Sequence, residues 1–252
     1  MPPKNPRPGH QFQKVVSYIK DMFDVITQQF LPTEKNSLNI GYDSLPALYR
    51  ESVRAHGGYP DPTTEDSLIE VAQAYLDAVK TGMEADLRHT LITQEKTKKD
   101  DSEVNLTEMV QGILDKAEFE VKRVVDSEAQ RARSTGAFEG VVHTAAKIGI
   151  DDPTLFFVIV RDGKCCGECL SLHMLPDGVT PRVWKMSEIS KGYHKKGSGI
   201  PSLAGEHPNC RCSPSICPPN YSFSSAGNLT YKYEGYDEWT RQRGLEEADS
   251  LE

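Results

Sequence analysis

Apolar residues recur at helical spacing almost from the start of the chain. Phe12, Val15, Val16, Ile19, Met22, Phe23, Ile26 and Phe30 fall on one stripe, which predicts an amphipathic helix ended by Pro32. Residues 33–42 read as a loop. Asp43 or Ser44 is placed to cap a short helix with Pro46 in its first turn. The segment HGGYPDP (56–62) is a break. A long helical stretch follows it, with Thr63 or Thr64 as the expected cap and Glu65 and Asp66 favourable to the helix dipole. The polar run 93–105 reads as a charge-rich linker. Beyond it Val110, Ile113, Leu114, Ala117, Val121, Val124 and Val125 make a further apolar face, and Phe138, Val141, Val142, Ala145 and Ile148 make another. Gly136 is expected to divide these into two helices, and Gly149 to cap the second.

At Leu155 the pattern changes. LFFVIV (155–160) is a β-type run followed by the turn-like RDGK. The stretch 170–206 is polar and irregular, and Pro, Ser, Asn and Gly dominate from Pro218 to Thr230. The expected fold class is therefore α+β: mainly α-helical in the N-terminal two-thirds, with a small Cys/His-rich, zinc-stapled, β-containing C-terminal module. The organisation reads as a flexible arm (1–10), a helical N-terminal region (11–100), a helix–strand–Cys/His domain (105–217) and an extended tail (218–252). No internal repeat stands out.

Composition changes this picture little. A mean hydropathy of -0.53 and a net charge of -8 point to polar surface and argue against non-specific nucleic-acid binding by the whole chain. Residues 161–217 carry eight lysines and arginines against five acids, a local +3. No apolar run approaches the ~18–20 residues of a membrane span. The first residues lack the apolar segment of a secretory signal. Folding in a cytosol is expected, where clustered cysteines are more often thiols or metal ligands than disulfides.

All six cysteines lie between Cys165 and Cys217. CCGEC offers Cys165, Cys166 and Cys169, the last two as a C-x-x-C knuckle with Gly167 in the turn. HPNCRC offers His207, Cys210 and Cys212. Zinc takes four tetrahedral sulfur or nitrogen ligands, and Cys166, Cys169, His207 and Cys212 meet that demand, with Cys210, Cys165, His173 and Cys217 as alternates. A metal would hold together loops that have little packing of their own. Reduced thiols without metal, and a disulfide, stay open as readings of the same residues. Glu168 and Glu206 adjoin the ligands as the only hint of a metal-dependent hydrolase. A Cys212–His207 nucleophile pair lacks an evident oxyanion hole. The local +3 leaves a zinc-stabilised nucleic-acid-binding module as a further alternative.

The order of these features resembles the phage head morphogenesis family, the Mu F-like minor head proteins. Glu128 on a helix, Gly149-Ile150 at a helix end, Asp162 before the knuckle, Cys166, Cys169, and then His207, Pro208, Asn209, Cys210, Arg211 and Cys212 occupy the matching positions. The resemblance covers about residues 105–215. This chain departs in having Cys165 where the family often has Thr, and in the late position of PDG after the knuckle. The resemblance implies a non-enzymatic virion structural protein, assembled in the host cytoplasm into the phage head. Its implied partners are the portal or the major capsid protein, with scaffold or packaged DNA as further ones and no membrane.

Overall fold

The computed structural model describes residues 8–31, 44–97, 106–160, 162–192, 197–203, 205–207 and 210–232. The expected arm over residues 1–7, the loop at 32–43, the core of the charged linker at 98–105 and the tail beyond 232 lie outside them. The elements in chain order are α1 (Pro8–Phe30), α2 (Leu45–Ala55), α3 (Pro62–Thr97), α4 (Leu106–Lys147), β1 (Thr154–Val158), α5 (Gly167–His173), β2 (Val183–Lys185), β3 (Ser213–Cys217), β4 (Tyr221–Phe223) and β5 (Leu229–Tyr231). This is an α+β chain with its long helices in the N-terminal two-thirds and its strands and Cys/His cluster in the C-terminal third. Among the described residues, no helix is long and apolar enough to cross a membrane.

The chain divides into two compact units: Met1–Leu48 with Asp61–Ala129, and Tyr49–Pro60 with Gln130–Glu252. The division falls inside α2 and α4. The first unit is helical. Ile19, Phe23 and Phe30 of the expected α1 stripe are buried, and α1 packs on α3. On α3, Leu68, Ala72, Leu76, Met83 and Leu87 supply the buried face at four- and seven-residue steps. Ala117 and Val121 of α4 are buried too. An exposed Lys116–Asp86 ion pair at 2.9 Å raises the lysine pKa through its hydrogen bond.

Several helix boundaries differ from the sequence reading. Helix α1 begins at Pro8, inside the expected arm. Ser44 caps α2 as expected, accepting from Ala47 N–H at 3.4 Å. Asp61 caps α3 in place of Thr63 or Thr64: its carboxylate accepts from Thr63 N–H at 2.9 Å. The reason is Pro62, whose fixed φ suits the first helical position and puts the cap one residue earlier. Helix α3 continues to Thr97, past the expected linker start. Gly136 does not divide α4, which runs unbroken for 42 residues. Gly149 ends it as expected: its φ is +74°, and Ile150 N–H reaches back to the Ala145 carbonyl at 2.9 Å. Ile148, assigned to the apolar face, is 58% exposed in this last turn.

In the second unit a three-stranded antiparallel sheet has the order β2-β1-β3. Leu155 of β1 stands opposite Trp184 on one side and Ile216 on the other. Phe157 stands opposite Pro214. Proline is tolerated there because β3 is an edge strand. Leu155 and Phe157 alternate inward and join Phe138 and Val141 of α4, together with Ile189 and Leu203, in one core. Cys169, Cys210 and Cys212 belong to that same core. Residues 218–232, read as the start of an extended tail, instead form the β4–β5 hairpin.

Candidate metal centre

Three short segments bring the sulfurs together. After β1 the chain turns at Asp162–Lys164 and enters α5, whose N-cap is Cys166. The Cys166 sulfur accepts from Cys169 N–H at 3.4 Å, so the knuckle's own backbone aims both thiols to one side. The returning loop is bent at Gly205, where φ is +90° and an added Cβ would lie 3.0 Å from Cys210 Cβ. Only glycine suits both the left-handed conformation and that approach. His207 and Cys210 then face the knuckle.

Cys166 Sγ lies 3.2 Å from His207 Nε2, Cys169 Sγ lies 3.3 Å from the same nitrogen, and Cys169 Sγ lies 3.8 Å from Cys210 Sγ. Two groups of donors fall within 4.8 Å of one another: Cys166, Cys169 and His207, and Cys165, Cys169 and Cys212. Around a tetrahedral ion with Zn–S near 2.3 Å and Zn–N near 2.05 Å, sulfurs are separated by about 3.8 Å and sulfur from nitrogen by about 3.5 Å. The donors are therefore spaced as a tetrahedral ion requires, and the cluster could hold one. All six cysteines are unpaired with one another.

The thiols of the cluster differ in protonation. Partial burial opposes ionisation of Cys166, but the Cys169 N–H, the Cys169 thiol and His207 outweigh it and hold its pKa below the ordinary thiol value. Hydrogen bonds from Cys169 and Cys212 lower that of Cys210. The proton is retained by Cys169, through its hydrogen bonds to Cys210 and Cys212 and its burial. Metal binding requires thiolates; Cys166 and Cys210 are biased toward that form, while Cys165, Cys169 and Cys212 are biased toward the thiol.

The structure separates the alternates. Cys165 and Cys210 stand in the cluster with the four nominated residues, whereas His173 and Cys217 stand outside it. His173 is fully buried, stacked on Phe157 at a centroid distance of 4.3 Å, with Nε2 3.4 Å from Glu206 Oε1. Cys217 belongs to β3, donates to the Tyr221 carbonyl at 3.6 Å and is driven up in pKa by burial. Of the nominated four, Cys166, Cys169 and His207 converge, while Cys212 reaches Cys169 from the side of Cys165.

Both glutamates beside the ligands are engaged by backbone. Glu168 Oε1 accepts from Gly197 N–H and Glu206 Oε1 from Ser202 N–H, each at 2.9 Å. The cavity at the cluster, lined by residues that include Cys165, Cys169, His207 and Cys212, measures about 20 Å³, enough for one water-sized occupant.

Two supports escaped the sequence. Gln130 on α4 donates to the Cys212 carbonyl at 3.1 Å, and nothing in a polar helix position announces that role. Arg211 grips Asp162 with two bonds of 2.6 and 3.0 Å, closing the first turn onto the ligand loop. The charge pattern alone did not pair them, 49 residues apart. The Arg211 guanidinium holds the Asp162 carboxyl well below the usual range. A depressed carboxylate contributes fully above its unfolded pKa near 4, and the contribution is lost as pH falls further. Asp162→Asn is expected to lower the urea midpoint at pH 7 in low salt, with the gap to wild type beginning to narrow only as pH falls below about 4. No gap at pH 7 would show the pair to be ornamental.

Comparison with protein-family models, with characterised proteins and with solved structures finds no match for this chain.

Proposed function

We propose that the chain is a structural minor head protein of a tailed bacteriophage. In this reading it acts in head assembly and associates with the portal or the inner capsid surface, and its C-terminal module is stapled by zinc. The observation that carries the reading is the joining of residues picked out by the family resemblance. Cys166, Cys169 and His207 meet at one point with Cys210 beside them, and Asp162 pairs with Arg211. Glu128, the matching glutamate of α4, is only 1% exposed. Cys166 of the knuckle and His207 of the ligand loop are 41 residues apart in sequence, and a chance match of motifs gives no reason for them to interlock.

Cys166, Cys169 and His207 would hold the ion, with Cys210 or Cys212 as fourth ligand. Bound zinc supplies cross-linking of the knuckle to the ligand loop. A structural role fits the water-sized cavity and the backbone-engaged glutamates better than catalysis does, since a hydrolase needs room for a substrate and a free base.

The test is mass spectrometry of purified particles and proheads of the phage that encodes the chain, with affinity capture of its portal protein by the zinc-loaded chain. Recovery in particles and a complex with portal are expected. Absence from both virions and proheads would sink the assignment.

A further inference from the structure

One tetrahedral ion uses four donors, yet five fall into two converging groups and a sixth, Cys210, lies beside the residue they share. The surplus is ordered. The triad of Cys166, Cys169 and His207 and the triad of Cys165, Cys169 and Cys212 share Cys169 and nothing else. Cys165 and Cys212 lie within 4.8 Å of each other as well as of Cys169. Cys210 lies 3.8 Å from the shared Cys169, close to the ~3.8 Å separation of two sulfurs on one tetrahedral ion.

We infer that the cluster takes two thiophilic divalent ions of the zinc class that share the Cys169 thiolate, the one donor common to both groups. Cys166 and His207, with Cys210 beside Cys169, complete one ion, and Cys165 and Cys212 with a water complete the other. The inference rests on the metal-centre reading given above and extends it to a second site.

The count closes. Two tetrahedral ions need eight ligand positions; five terminal donors and the shared Cys169 supply seven, and a water fills the eighth. Charge closes as well. Five thiolates with two divalent ions carry a net -1, the same as three thiolates and a neutral histidine around one ion. The second ion thus brings two more thiolates into the site at no added net charge. Lys164 and Arg211 line the same cavity, which places positive charge beside the residual negative one. With a single ion, the buried Cys212 and the part-buried Cys165 would be left facing each other as bare thiols.

The decisive measurement is metal stoichiometry of the full chain, reduced, reconstituted with zinc and desalted, by native mass spectrometry and elemental analysis. Two ions per chain are expected. Cys165→Ser, at a part-buried position, is expected to fall to one ion with its helical circular dichroism intact. Cadmium substitution gives a readout that needs no variant: two ¹¹³Cd resonances of equal intensity, scalar-coupled through shared sulfur. One ion in wild type, a single resonance, or two ions retained in Cys165→Ser would each overturn the second site. No ion in wild type would overturn the metal centre itself, so the two failures are distinguishable.

Discussion

Cys169→Ser is expected to abolish metal binding and to destabilise the second unit by at least about 4 kcal/mol, a loss of the size that follows removal of a structural metal. Cys169 stands in both donor groups, is 2% exposed and packs in the core with Phe138, Leu155 and Phe157. Its substitution therefore removes a candidate ligand and places a hydroxyl among apolar side chains. The control is Cys217→Ser, equally buried at 4% exposure but outside the cluster. It exchanges a thiol donating to the Tyr221 carbonyl for a hydroxyl that can do the same, and is expected to cost about 1–3 kcal/mol at most. Structural zinc contributes about 10–16 kcal/mol of apparent binding energy in small finger domains, so the two variants should separate widely. Trp184 reports the transition, because it stands opposite Leu155 across the sheet. Urea unfolding followed at Trp184, with and without a strong chelator, is the measurement. Chelation should shift wild type and Cys217→Ser alike and leave Cys169→Ser unmoved. Equal costs for the two substitutions, with no chelator effect on wild type, would refute a stability role for metal.

The readability of this chain followed the length scale of each interaction. The helices were legible because burial repeats along them: Ile19, Phe23 and Phe30, and Ala117 with Val121, follow from spacing alone. β1 was legible as a run of apolar residues, with its end two residues early relative to the expected Val160. β2 and β3 were not, since β2 is three residues long and β3 contains a proline. They exist because β1 needs partners for both of its edges. At the metal centre the knuckle and the returning loop were legible from residue type and spacing. The division of donors into two groups was not, because it depends on which way Cys165 and Cys212 turn after β1 and Gly205. His173 shows the converse: its chemistry suits a ligand, but it lies outside both donor groups, buried and stacked on Phe157 with Glu206 3.4 Å away.

Gly140→Ala and Gly136→Ala are expected to destabilise the protein although alanine is the better helix former. Gly136 is expected from the sequence to divide the helix, yet α4 continues through it. The two glycines serve a different purpose, which is the approach of another backbone. A Cβ at Gly140 would lie 2.5 Å from His56 Cβ and 2.8 Å from the Val53 carbonyl oxygen. At Gly136 it would lie 2.6 Å from the Tyr49 carbonyl oxygen and 2.8 Å from Ser52 Cβ. These obstacles are backbone atoms or Cβ atoms fixed to it, so no rotamer change relieves them. The segment they belong to is tied down on all sides. Ser52 Oγ donates to the Arg133 carbonyl at 2.6 Å, Thr144 Oγ1 to the His56 carbonyl at 2.8 Å and Lys147 Nζ to the Gly57 carbonyl at 3.0 Å, while Tyr49 donates to Glu139. Propensity favours alanine by about 0.8–1 kcal/mol, whereas forcing an atom into a filled contact costs about 1–3 kcal/mol or more. The steric cost wins at both positions, and the double variant should lose more than either single one. Gly112 on the same helix is the internal control, because nothing lies within 4 Å of its missing Cβ. There propensity acts alone, and Gly112→Ala should stabilise by about 0.5–1 kcal/mol. Opposite signs at Gly140 and Gly112 in thermal unfolding would establish close helix approach as the role of the glycine pair. The same sign at both would mean that α2 yields to the added methyl, and that its hydrogen bonds to α4 are too weak to hold it in place.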